Sequence, residues 1–79
     1  MGVKDLRDAF NSVTGGAFTC AVATLAYQQS NGAEWQILSF SGTDAHGQPF
    51  DTHSGLLPPS TDLTQAARNT ANVLIGKGV

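Results

Sequence analysis

Only one cysteine occurs in the chain, Cys20, so no disulfide can form within it. Cys20 stands inside an apolar, strand-like run, where a small buried core residue is the expected role and a reactive thiol the alternative. Charge is scarce as well: 13% of the residues are charged, against a usual ~25%. Serine, threonine, asparagine and glutamine take their place. A surface with so little charge repels copies of itself weakly, so a protein partner or self-association is expected in preference to a bare monomer. The formal charge of −2 provides no field to attract nucleic acid or anionic lipid, and neither is expected as a partner. No apolar run approaches the ~20 residues of a membrane span. The start, Met1-Gly2-Val3-Lys4-Asp5, has no apolar signal-peptide region, and Leu6 stands where a myristoylation signal needs Ser or Thr. A cytoplasmic location is the resulting expectation.

Catalytic and cofactor fingerprints are missing too. No serine sits in a Gly-x-Ser-x-Gly elbow. Gly15-Gly16 lacks the Lys and Ser/Thr of a phosphate-binding loop, and Gly76-Lys77-Gly78 falls at the end of the chain. The sequence therefore predicts no enzyme and no cofactor.

What is present is a 79-residue chain with 41% hydrophobic residues, enough for one domain spanning 1–79. A chain this short buries only ~60% of its unfolded surface, so modest stability is expected. Val3, Leu6, Phe10 and Val13 recur at helical spacing, and Gly15-Gly16 stops them, predicting a helix over Val3–Ser12. Phe18–Gln28 carries no charge, glycine or proline and reads as a strand, with Phe18, Cys20 and Val22 on one face and Leu25 and Tyr27 on the other. Asn31-Gly32 then predicts a tight hairpin, because both residues tolerate the positive φ of a type I′ turn.

Trp35–Ser41 makes a second strand, with Trp35 and Ile37 facing one way and Leu38 and Phe40 the other. Both faces are apolar. Either a bulge in this strand resets its register or both faces are covered, the second by a partner. A short third strand runs over Gln48–Ser54, with Phe50 inward, Asp51 and His53 outward, and Pro49 suiting an edge position. Asp62 and Gln65 form a possible capping box for a last helix. Its stripe of Leu63, Ala66, Ala67, Thr70, Ala71 and Leu74 faces the core, Gly76 ends it, and Lys77 suits its negative end.

The predicted fold class is α+β: a two-layer α-β-β-β-α sandwich, a three-stranded antiparallel sheet with two helices on one face. This order resembles the double-stranded-RNA-binding domain over most of the chain, as topology. The resemblance implies phosphate contacts from a lysine-rich start of the last helix. Here the matching stretch is Ser60-Thr61-Asp62-Leu63-Thr64-Gln65, without a lysine, so that activity is not carried over.

Three readings of the surface follow. Tyr27, Trp35 and Ile37 are the expected anchors for a protein partner on the exposed sheet face, making the chain a non-catalytic binding or assembly module. The alternative is a nucleic-acid-associated protein that stacks bases on Trp35, Tyr27, Phe40 and Phe50, although only Lys4, Arg7, Arg68 and Lys77 could form its basic groove. Third, the Asp44–His53 segment holds both histidines and two of the six acids. A hairpin with Asp44 opposite Pro49 would place Asp44, Asp51 and His53 on one face and His46 at the tip. That is a candidate zinc or nickel ligand set, or a His53 general base oriented by an acid. Set against both is a plain polar turn.

Overall fold

The computed structural model describes residues 2–77, with the Lys77 side chain excluded. The expectations placed on Met1, on that side chain and on Gly78 lie outside the described residues. Five elements follow one another: α1 (Val3–Thr14), β1 (Phe18–Ser30), β2 (Ala33–Asp44), β3 (Pro49–His53) and α2 (Leu63–Lys77). The strands form one antiparallel sheet in the order β1-β2-β3. Both helices lie on one face of it, as the α+β prediction required.

Local chemistry explains each boundary. The Asp5 carboxylate accepts a hydrogen bond from the Gly2 N–H at the start of α1. Gly15, at φ 59°, closes its end in the left-handed region, so α1 runs two residues past the predicted Ser12. Asn31 (φ 52°) and Gly32 (φ 78°) both take positive φ between β1 and β2, as the type I′ expectation demanded. Asp62 accepts the Gln65 N–H at 3.3 Å and starts α2. Only this half of the capping box forms, because the Gln65 side chain donates forward to Asn69 at 3.0 Å. Gly76 lies within α2 instead of ending it.

The core is one cluster between sheet and helices. Phe10 of α1 stacks on Phe40 of β2 at 4.5 Å and on Phe50 of β3 at 6.0 Å, and Phe18 of β1 meets Phe50 edge-on at 5.2 Å. All four phenylalanines of the chain are thus joined, one from each element except α2. On α2 the small side chains of Ala66, Ala67 and Ala71 are buried, which brings that helix close to α1.

The sheet faces require two corrections. A bulge does exist, but it lies in β1, between Cys20 and Val22. It shifts the alternation so that Phe18, Cys20, Ala23 and Leu25 all pack on the helix side, while Val22 turns to the other face and is 55% exposed. With the shift taken up in β1, β2 alternates regularly: Gln36, Leu38 and Phe40 are buried, and Trp35 and Ile37 are half-buried on the opposite face. The bulge has two supports. Asn11 of α1 accepts the Cys20 N–H at 2.8 Å and donates to the Cys20 carbonyl at 3.2 Å, replacing a neighbouring strand. Across from it stands Gly42, where a Cβ would collide with the Thr19 carbonyl and lie 2.8 Å from the Ala21 nitrogen.

Candidate functional site

The helix-free face of the sheet carries two of the expected anchors. Trp35 lies opposite Gln28 and Ile37 opposite Ala26, with Val22 further along beside Ser41. The Trp35 indole N–H donates to the Ser30 carbonyl at 3.3 Å, which holds the ring over the hairpin end. His53 and Asp51 of β3 flank Ser39 and Ser41 on this same face. Tyr27 does not join them. It pairs with Gln36, whose side chain is buried on the helix side, so Tyr27 points that way too. The long hairpin carries it past the helices and leaves it 64% exposed. Tyr27 therefore forms a separate patch from Trp35 and Ile37, because the β1 bulge sets the parity of everything after Ala21.

The Asp/His segment is not assembled as a ligand set. Thr43, not Asp44, stands opposite Pro49, and the Asp44 N–H donates to the Gln48 carbonyl at 2.8 Å. This one-residue difference sends Asp44 to the side opposite Asp51 and His53. The Asp44 carboxylate instead accepts the His46 and Gln48 N–H groups, each at 2.9 Å, and so shapes the turn. His53 Nδ1 lies 2.8 Å from the Ser54 carbonyl. Among the described residues no three His, Cys, Asp or Glu side chains converge as a metal site. Cys20 is buried, its thiol donating to the Val22 carbonyl at 3.2 Å; burial pushes its pKa up, away from a reactive thiolate.

One feature left only faint traces in the sequence: a groove of about 410 Å³ between α2 and the β3 edge. After His53 the chain leaves the ladder, yet Ser54 stays bound to Leu38: its N–H donates to the Leu38 carbonyl at 2.8 Å and its hydroxyl accepts the Leu38 N–H at 2.9 Å. Leu57 then exchanges backbone hydrogen bonds with Gln36, both 2.8 Å. This detour forms one wall. Ala66, Thr70 and Leu74 of α2 form the other, with Asn69 and Gln65 at the rim. Two prolines and a stripe of small helix residues were the only sequence traces of it, and neither shows a gap until the helix is docked.

No family model, curated protein or solved structure matches this chain, so the double-stranded-RNA-binding resemblance stays one of element order. No helix among the described residues is long and apolar enough to cross a membrane.

Proposed function

We propose that this chain is a small binding or assembly module without catalysis of its own, acting through protein–protein contacts of its helix-free sheet face. The supporting observation is the make-up of that face. Trp35 and Ile37 sit on its central strand and Val22 beside them, while the described strand residues of the face include one acid, Asp51, and no lysine or arginine. Depletion of charge around an aromatic and aliphatic centre is the compositional mark of an interface core. The test is co-purification from source cells with nuclease, then titration of the retained protein against variants. Trp35→Ala is expected to weaken association by about 2 kcal/mol or more, the cost typical of a central aromatic anchor, with the fold retained. His53→Ala, at the rim, should cost under about 1 kcal/mol. Equal and negligible effects would sink the proposal.

The groove favours a second reading, a small neutral ligand with an apolar body and a hydrogen-bonding head. Its volume of about 410 Å³ falls in the ~300–1,000 Å³ range of small-molecule sites. Amide shifts of Asn69 and Gln65 in a fragment screen would support this reading. Shifts that persist in Ala66→Leu, which fills the groove, would count against it. The start of α2 offers phosphate nothing comparable, since Asp62 occupies it.

A further inference from the structure

The two edges of the sheet are finished differently. The β3 edge is short, begins with Pro49 and carries Asp51 and His53, all features that discourage strand pairing. By contrast β1 is 13 residues long and contains no charge, proline or glycine. Its outward backbone groups follow from the register. Ser30 and Ala33 close the two-residue turn, so Val22, Thr24, Ala26, Gln28 and Ser30 bond inward to β2. The other flank of β2 agrees with this parity, since Leu38 and Gln36 bond away from β1, to Ser54 and Leu57. Ala23, Leu25, Tyr27 and Gln29 therefore direct their N–H and C=O groups away from the sheet. Before the bulge the outward positions are Phe18 and Cys20, and α1 caps both: Thr14 donates to the Phe18 carbonyl at 2.6 Å, and Asn11 binds both backbone groups of Cys20. Among the described residues no such side-chain cap reaches Ala23–Gln29. The edge is half closed and half open.

We infer that the open half of β1 pairs with the same segment of a second copy, antiparallel about a two-fold axis at Ala26, to make a continuous six-stranded sheet. A two-fold axis sets a strand antiparallel to itself. Centring it on Ala26 places Leu25 opposite Tyr27 of the second copy and Ala23 opposite Gln29. This register sets the outward residues Ala23, Leu25, Tyr27 and Gln29 in hydrogen-bonded pairs, alternating with non-hydrogen-bonded pairs such as Ala26 with Ala26, so the outward N–H and C=O groups of the edge find partners. Tyr27, 64% exposed in the single chain, gains Leu25 of the second copy as its cross-strand neighbour. With no charge on β1, nothing repels across the axis. Charge complementarity appears at the rim instead. Lys4 and Arg7 of α1 line a hollow with Ala21, Val22 and Ala23. Glu34 pairs with Gln29, on the helix side. Setting Gln29 of the second copy beside Ala23 brings its Glu34 next in line, toward Lys4 and Arg7, twice by symmetry. This surface is distinct from the Trp35 face and does not depend on it.

The test combines analytical ultracentrifugation of the purified chain over a concentration series with amide hydrogen exchange by NMR. The expected result is a dimer in which the Ala23, Leu25, Tyr27 and Gln29 amides are protected. Tyr27→Pro, which removes an outward donor and leaves the β1–β2 ladder untouched, abolishes the dimer; Trp35→Ala leaves it intact. Glu34→Lys raises the dimer Kd about fivefold, the scale of rim ion pairs, and Lys4→Glu combined with Glu34→Lys restores it. Should Tyr27→Pro fail to fold, Tyr27→Lys keeps the backbone donor and breaks the dimer by placing lysines about the axis. A monomer at all concentrations up to about 1 mM overturns the inference, since that sets affinity below any working assembly. So does a dimer whose outward amides exchange as freely as those of a loop, or one lost in Trp35→Ala but kept in Tyr27→Lys, which would place the contact on the sheet face.

Discussion

Asn11, Gly42 and Cys20 meet at the β1 bulge and set the face on which each later residue of β1 appears. Asn11 gives the part-buried N–H and C=O of Cys20 partners from outside the strand. Asn11→Ala should cost about 2 kcal/mol, because two hydrogen bonds vanish and their backbone partners stay partly buried. Asn11→Asp retains the acceptor and should cost less at the Cys20 N–H while repelling the Cys20 carbonyl. Urea midpoints of the two variants would separate these contributions. Gly42→Ala is expected to be more severe, about 3 kcal/mol or loss of the fold, since its Cβ would meet backbone and not a movable side chain. Cys20 gives a pH signature. Its folded pKa is raised by burial, so the thiol's contribution is complete below the ordinary thiol value of about 8.5 and is lost as pH rises through the folded value. Wild-type stability should therefore fall more steeply with pH above that point than Cys20→Ala stability does, as read from urea midpoints across the alkaline range.

Among the elements, the β1–β2 hairpin and α2 depend on different forces. Local chemistry drives the hairpin: Asn31 and Gly32 both need positive φ. Gly32→Val should destabilise it by about 1 to 2 kcal/mol, a β-branched residue being strained there. In α2, few large side chains reach the core, and the buried stripe is Ala66, Ala67, Thr70 and Ala71. Thr70 donates back to the Ala66 carbonyl at 2.9 Å, which satisfies its hydroxyl inside the helix. Its stability rests on close backbone approach and on the Asp62 cap. Asp62→Ala should cost about 1 kcal/mol, and thermal denaturation would register it as a lower Tm.

For the whole molecule, the governing quantity is the small size of the core. Principal extents of 42 × 23 × 17 Å describe a body lengthened by its hairpin, whose far end extends past the helices. A core built on four joined phenylalanines has no reserve to absorb the loss of its central ring. Phe10, fully buried and stacked on two others, is the residue whose truncation to Ala should remove about 3–5 kcal/mol. Against a total expected near the low end of about 5–15 kcal/mol, Phe10→Ala should leave little residual stability, read by circular dichroism as a much lower Tm.

Period and punctuation in the sequence were enough to determine the element order, the two helix faces, the type I′ turn and the inward position of Phe50, because each depends on neighbours within a few residues. The candidate site was legible only in part. Trp35 and Ile37 share a face because β2 is regular, and that regularity could be read from their spacing. Tyr27 was misplaced because its face depends on a bulge held by Asn11 from another element and by Gly42 from another strand, contacts 9 and 22 residues away from Cys20. The Asp44 register was likewise decided by which turn residues its carboxylate bonded. The groove beside β3 and the half-capped edge of β1 arise only when α2 and α1 dock. Local propensities specify the pieces; parity, gaps and unsatisfied edges come from long-range packing, and those decide which surfaces are free to bind.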